Sequence, residues 1–175
     1  MTSTLQALPT GTWTLDPVHS QAGFSVKAGV ATFRGHFGTF SAELRDGTLR
    51  GAVDVASVQV SPQMFKDHLL APDFFDAEAH PEITFASSDI AIDEANRLTI
   101  RGELAIRGVT QRLEATGELG GTFSALDGSD KLGLSLETVV NRHDFGVSWN
   151  ADLPSGGKAV GDDVTLTVDL TLVQA

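Results

Sequence analysis

Apolar and polar residues alternate with a period of two along most of this chain. In the clearest case, every second residue from Val164 to Leu172 is Val or Leu, and the residues between them are Thr or Asp. The same pattern runs from Leu98 to Ile106 and from Leu132 to Val140. Because successive side chains of a β-strand point to opposite faces, each segment predicts an antiparallel strand with one buried face and one wet face.

Turn sequences separate these segments and indicate the organisation of the chain. Asp46-Gly47 and Asp127-Gly128 are typical of tight turns between strands. The pattern gives about eight or nine strands and no helix longer than a few turns, which predicts an all-β closed barrel or a sandwich. We expect residues 1–10 to be a flexible tail and residues 11–175 to form one domain.

The stretch from His68 to Phe85 interrupts this pattern. Phe74 and Phe75 are adjacent, so strand alternation cannot send both rings to one face. Pro72 and Pro81 remove backbone donors that a ladder would need. One or two short helical segments are therefore predicted between residues 62 and 77. We expect them to cover an apolar interior, with at least one ring of the Phe pair facing that interior or closing its mouth.

The charge balance excludes several classes of partner. The chain of 175 residues has a formal net charge of −11, and its 12 Lys and Arg residues form no run. This argues against a nucleic-acid partner and against electrostatic docking on anionic membranes. Cysteine is absent, which excludes disulfides and thiolate catalysis. No segment resembles a signal peptide or a membrane span, so we expect no stable membrane insertion and, if Met1 is the native start, a cytoplasmic protein.

Candidate catalytic and metal-binding groups are few. His68, Asp73, Asp76 and His80 are close in sequence, but no two have the spacing that places metal ligands on one helical face. We expect no metal, no other cofactor and no catalytic residue. A hydrolase using His19, His68 or His143 with a nearby carboxylate is the enzymatic alternative, and it requires two such groups within hydrogen-bonding reach.

Several motifs together resemble the YceI-like proteins, a lipocalin-like group described as binding polyisoprenoids. The resemblance extends from Trp13 to Leu172, and its motifs are residues 13–20 (WTLDPVHS), 23–27 (GFSVK), 34–37 (RGHF), 68–69 (HL), 73–77 (DFFDA), 80–85 (HPEITF), 102–110 (GELAIRGVT), 141–146 (NRHDFG) and 160–164 (VGDDV). It implies an extended antiparallel up-and-down β-barrel of about eight strands that binds a long isoprenoid or similar lipid without catalysis. Phe65, Lys66 and His80 depart from residues common in the family, which bears on head-group preference more than on fold.

The leading hypothesis is a lipid-binding barrel whose bound isoprenoid or fatty lipid is its only ligand. Phe residues, Leu, Ile and Val on the apolar strand faces would line the lumen, a cover would include Met64, and Arg142, His143 and Asn150 would contact a polar head group. The full set of ligand-binding candidates is Phe24, Val26, Phe33, Phe37, Met64, Leu69, Phe74, Phe75, Phe85, Leu104, Ile106, Leu134, Leu136, Phe145 and Trp149.

Two further alternatives concern the interior and the assembly. The barrel could be a ligand-free structural or interaction protein whose core is filled by its own side chains, since eight-stranded barrels can be filled or can hold a ligand. A homodimer is also compatible with the sequence.

Overall fold

A computed structural model describes residues 7–175, which form a β-rich domain with one short α-helix among them. Short 3₁₀ turns at Pro17–His19, Val55–Ser57 and Arg142–Phe145 interrupt or follow the strands. The strands are β1 (Thr12–Leu15), β2 (Gln21–Ala28), β3 (Ala31–Phe37), β4 (Phe40–Arg45), β5 (Thr48–Asp54), β6 (Val58–Val60), β7 (Glu82–Ile92), β8 (Arg97–Ile106), β9 (Val109–Ser124), β10 (Asp130–Asn141) and β11 (Val160–Gln174), and the helix is α1 (Met64–Leu70).

These segments close into an antiparallel barrel of eight long strands. Three of the eight long strands are interrupted by a short turn: β1 continues into β2, β3 into β4, and β5 into β6. Hydrogen-bonded neighbours follow in the order β1-β4-β5-β7-β8-β9-β10-β11. Pairing of β1 with β11, in which Trp13 lies opposite Gln174, closes the ring. The predicted all-β barrel of about eight strands is therefore confirmed.

The two ends of the barrel differ. At the end that we call lower, tight hairpins join β4 to β5 and β7 to β8. Asp46 and Gly47 in the first of these have φ of 49° and 81°, the positive values that a two-residue hairpin turn of this type requires. The upper end contains the β2–β3 and β8–β9 hairpins, α1 and the long β10–β11 connection. The elements that can cover an opening are thus all at one end.

The lower half of the barrel is filled with side chains. Its members are supplied by inward-facing positions of β1, β4, β5 and β8 to β11, and several are less than 2% exposed. A fully buried Leu or Ile contributes about 1.5–3 kcal/mol, so this group is a main source of stability. We call it the lower cluster: Trp13, Ala42, Leu44, Leu49, Leu98, Ile100, Ala115, Leu119, Leu132, Leu134, Leu136, Leu170 and Leu172.

The predicted helical segments lie where the sequence placed them. α1 has seven residues and is followed by turns through residue 79. No helix within residues 7–175 is long and apolar enough to cross a membrane. Of the predicted tail, residues 1–6 lie outside the described part of the chain. Leu8 packs against the lower cluster, and the carbonyl of Thr10 accepts a hydrogen bond from the Trp13 indole at 3.0 Å.

A largely buried carboxylate connects the first strand to β10. Asp16 follows β1, and its side chain accepts hydrogen bonds from the backbone of Val18 (3.1 Å) and from the ammonium of Lys131 (2.7 Å). It also contacts His19 Nδ1 at 2.8 Å. The hydrogen bonds from Lys131 and His19 hold the pKa of Asp16 well below its usual range, and the same contact raises the pKa of Lys131.

The Asp16 contacts should make stability depend on pH. A carboxyl whose pKa is lower in the folded state stabilises the fold above its unfolded-state pKa of about 3.9, and this contribution is lost as the pH falls below that value. We expect Asp16→Asn to lower the free energy of unfolding by about 2 kcal/mol at pH 7, since charge-assisted hydrogen bonds are lost. The loss should be clearly smaller at pH 2.5, measured by urea denaturation.

The matched control is Asp169→Asn. Asp169 is an exposed carboxylate on β11 that makes no ion pair with any residue of the described range. Its replacement should leave stability nearly unchanged at both pH values. An Asp16→Asn loss of equal size at pH 7 and pH 2.5 would contradict the electrostatic explanation.

Candidate ligand-binding cavity

The upper half of the barrel contains an apolar cavity. Its volume is about 440 Å³, it is partly open to solvent, and it is lined almost entirely by carbon atoms. Strands β2 to β5 and β7 to β11 all contribute lining residues, whereas β1 and β6 contribute none. The cavity begins at the top of the lower cluster and extends toward the end that carries α1.

Phenylalanine rings form one wall of the cavity. Phe24 on β2 packs against Phe33 and Phe37 on β3, with ring centroids 6.4 and 5.8 Å apart. Phe75 closes this group from above, at 6.3 Å from Phe24 and 6.1 Å from Phe37. The tilted and edge-on contacts are those that aromatic pairs favour. This aromatic wall is apolar and carries no phenolic hydroxyl group, because the chain has no Tyr.

Two glycines leave room for rings that lean across the strands. A Cβ on Gly35 would lie 2.5 Å from the ring of Phe24, and one on Gly102 would lie 2.7 Å from the ring of Phe85. Each ring occupies the space that a side chain at the glycine of the neighbouring strand would fill. Because the rings lie along the wall, they project less far into the cavity than an upright Phe would.

Residues 62–80, which we call the cover segment, lie over the upper end. Its backbone is bonded within the segment: Phe75 N–H donates to Leu69 O at 2.9 Å, and Ala77 N–H donates to Leu70 O at 2.9 Å. Leu69, Phe74 and Phe75 line the cavity. In a strand, the adjacent rings of Phe74 and Phe75 would point to opposite faces. The turns of the cover segment instead allow both rings to reach the apolar interior.

An aromatic contact joins the cover segment to the β10–β11 connection. The His68 ring lies edge-on to Phe74 and to Trp149, with centroid distances of 4.8 and 4.7 Å. His68 Nε2 is 3.3 Å from Asp73 Oδ2. His68 and Trp149 both line the cavity, so this cluster forms part of its mouth.

Arg142 is a buried cation beside the cavity. It is 4% exposed, and its guanidinium donates to four carbonyls, those of Gly161 (2.7 Å), Val147 (2.8 Å), Trp149 (2.9 Å) and Val160 (3.3 Å). No carboxylate within residues 7–175 forms a salt bridge with it, and burial lowers its pKa. Its bonds fix the β10–β11 connection, and its charge adds a positive potential at the wall.

The structure places most predicted binding residues on the cavity wall. Met64 and Leu134 do not line it. Met64 is the first residue of α1 and is 72% exposed, on a side of the helix away from the cavity. Leu134 is buried in the lower cluster, opposite Leu119. The predicted residues that line the cavity are Phe24, Val26, Phe33, Phe37, Leu69, Phe74, Phe75, Phe85, Leu104, Ile106, Leu136, Phe145 and Trp149.

The predicted head-group residues occupy different positions. Arg142 lines the cavity, whereas His143 and Asn150 do not. Asn150 is engaged with the backbone of Val160, donating to its carbonyl at 2.7 Å and accepting from its N–H at 2.9 Å. Asn150 therefore holds the connection in place.

Sequence reasoning missed several lining residues. Phe65 and His68 in α1 contact the cavity although Met64 does not. Leu166, Val168 and Leu170 continue the alternation of β11, which was the signal available to find them. Ala42 and Ala115 also line it, and their small size carries no signal in a single sequence.

Three histidines contact carboxylates. His19 lies 2.8 Å from Asp16, His68 lies 3.3 Å from Asp73, and His143 Nε2 lies 2.8 Å from Asp162. The other ring nitrogen of His143 is 2.9 Å from Ser148 Oγ. Within the described range, no three His, Asp or Glu side chains are placed to hold a metal ion.

Sequence comparison identifies relatives over nearly the whole chain. The YceI-like domain pattern matches residues 13–172. A UPF0312 protein of Staphylococcus aureus strain MSSA476 is 27% identical over 161 residues, which cover 87% of this chain and 91% of that protein.

Solved structures share the barrel. BcnA of Burkholderia cenocepacia superposes with a TM-score of 0.79 at 23% identity, covering 90% of this chain and 98% of that one. A polyisoprenoid binding domain from Saccharophagus degradans, implicated in plant cell wall breakdown, gives 0.73 at 13% identity, covering 93% and 98%. At these identities the similarity establishes the fold.

The Phe24–Gly35 contact can be tested by adding a single methyl group. Gly35→Ala should force the Phe24 ring off the wall and cost about 1–3 kcal/mol of stability, as overpacking does. Gly133→Ala is the control, since a Cβ there has no neighbour within 4 Å. Phe24→Leu should restore part of the loss in the Gly35→Ala background, measured by denaturant unfolding. Equal losses for Gly35→Ala and Gly133→Ala would show that the ring contact is not the cause.

Proposed function

This chain belongs to the YceI-like family, and we propose that it is a binding protein that holds the apolar chain of an isoprenoid or similar amphiphilic lipid inside its barrel. Binding would serve carriage, storage or sequestration, and no reaction would follow. The Saccharophagus degradans neighbour is described as a polyisoprenoid binding domain, which agrees with this proposal.

The apolar cavity is the observation that carries the proposal. A cavity of about 440 Å³ with carbon-lined walls offers little to a polar metabolite, because polar groups buried there would lose hydrogen bonds to water. A hydrocarbon chain loses nothing of that kind. Burial of ten methylene groups gives about 8 kcal/mol before the costs of ordering the ligand are subtracted.

The cavity also weighs against the side-chain-filled alternative. That alternative requires the barrel interior to be packed throughout, as the lower cluster is. The upper half instead leaves space large enough for a drug-sized ligand, since pockets for such ligands measure about 300–1,000 Å³.

The buried charge of Arg142 bears on which head group the bound lipid carries. We propose that an oxygen-rich or anionic head group lies at the mouth near this residue, whose buried charge forms no salt bridge with a carboxylate of the described range. The electrostatic attraction between an anion and such a cation is stronger in an apolar surrounding than in water. His143 and Asn150 would then act by holding the β10–β11 connection that carries the mouth.

Binding itself can be measured before the ligand is identified. The purified protein should yield prenyl or acyl lipids on organic extraction and mass spectrometry. After delipidation, a prenyl alcohol or fatty acid added at about 100 times its Kd should stabilise the fold by about 2.7 kcal/mol, or roughly 5–10 °C in Tm. Protein that is empty as purified and shows no shift with any such lipid would refute the proposal.

Two neighbouring residues of α1 form a matched pair for mutation. Phe65 lines the cavity, is 43% exposed and packs edge-on against Phe33 at 5.8 Å. Phe65→Ser should weaken lipid binding by about 1 kcal/mol, roughly fivefold in Kd, because part of the mouth is lost. Met64→Ser removes an exposed side chain outside the cavity and should leave Kd unchanged. Titration with a fluorescent fatty acid gives both values, and equal effects would argue against the cavity as the binding site.

A hydrolase is the second candidate function, because Ser148, His143 and Asp162 are linked by hydrogen bonds of 2.9 and 2.8 Å. Ser148 is exposed, and neither it nor His143 lines the cavity. We therefore expect the wild-type protein and Ser148→Ala to hydrolyse p-nitrophenyl esters at the same background rate. A rate that disappears in Ser148→Ala would establish a serine hydrolase and overturn the proposal of binding without catalysis.

A further inference from the structure

The cavity ends at a definite level inside the barrel. Five members of the lower cluster line its deep end: Ala42, Leu49, Ala115, Leu136 and Leu170. Further down the same strands, Leu44, Leu132 and Leu172 are at most 1% exposed and do not line it. The lower cluster therefore forms a solid floor, and a bound chain must end against it.

Two alanines line opposite walls at this floor. In the ring of eight strands, β4 with Ala42 and β9 with Ala115 are separated by three strands in either direction, so they lie on opposite walls. The next inward positions on the same strands are occupied by Leu44 and by Gly117, where an added Cβ would collide with the backbone of Ser135. The deepest part of the cavity thus exists because the side chains of Ala42 and Ala115 are methyl groups.

The depth of the cavity limits the length of a bound chain. On β2, the residues that line the cavity run from Ala22 to Ala28, which is six residue steps, or about 20 Å along the strand and about 15 Å along the axis of a barrel whose strands tilt by about 40°. A C–C bond of about 1.5 Å advances an extended chain by about 1.3 Å. The depth therefore accepts about 12 carbons.

The volume gives a similar limit. One water molecule occupies about 30 Å³ in the liquid, and a methylene group is of similar size, so a cavity of about 440 Å³ holds about 15 heavy atoms. We propose that this barrel selects chains of about 12–15 carbons, such as a three-isoprene or medium-length acyl chain, and that Ala42 and Ala115 set the limit. This inference rests on the proposed lipid-binding function. Longer chains bind with their excess carbons outside the mouth and gain no affinity from them.

A ligand series tests the limit directly. Delipidated protein is titrated with saturated fatty acids of 8 to 20 carbons, and separately with prenyl alcohols of 10, 15 and 20 carbons, by displacement of a fluorescent fatty acid. Up to the limit, each added methylene should lower Kd by as much as about fourfold. Beyond about 15 carbons Kd should level off. A Kd that keeps falling to 20 carbons would overturn the length limit while leaving the proposed function intact, whereas no binding at any length would refute the proposed function.

Floor variants test the assignment to the two alanines. Ala115→Leu adds three carbons to the deep end and should move the point at which Kd levels off to chains about three carbons shorter. Ala95→Leu, at an exposed turn position outside the barrel, is the control of equal size and should not move it. If Ala115→Leu fails to fold, Ala42→Val makes the same test from the opposite wall. An unchanged levelling point in a folded floor variant would overturn the assignment.

Discussion

The width of the closed ring is the constraint on which this structure depends. Pairing of β1 with β11 gives each of the eight long strands a neighbour on both sides, and the number and spacing of the strands then fix the diameter of the barrel. The size of the inward-facing residues therefore decides, level by level, whether the interior is packed or empty. Leu and Ile from most strands fill the lower half. In the upper half, Phe rings lie along the walls and leave a cavity.

This division separates stability from binding. The lower cluster buries its members almost completely, and the contacts of Asp16 with Lys131 attach the first strand to β10 on the same side of the molecule. An empty apolar cavity costs dispersion contacts that a packed core would make. The filled half supplies the stability that allows the other half to stay open. Arg142 contributes to that openness, since its four carbonyl contacts hold the β10–β11 connection at the rim without filling the interior.

The sequence predicted the strand pattern well because alternation is a local property. The segments Leu98–Ile106 and Val164–Leu172 fall within β8 and β11. The division of each inward face was not predictable in the same way. Leu134 and Leu136 share a face of β10, yet only Leu136 reaches the cavity. Strand tilt and register determine the level of each residue, and both depend on pairing with distant strands. Likewise, the role of Arg142 depends on carbonyls in residues 147–161 that the sequence does not show to be near.

The cover segment departs from strand geometry, and this departure allows it to lie over the upper end of the barrel. β6 pairs with β3 but not with β7, so the wall is incomplete at the upper end between these two strands. A regular strand there would close the wall and would send Phe74 and Phe75 to opposite faces. A short helix followed by turns keeps its backbone hydrogen bonds within the segment, which removes the cost of leaving the sheet. It can then direct both rings inward and bring His68 against Trp149 on the other side of the mouth. The break in the strand pattern therefore allows the apolar opening to be covered by an apolar surface.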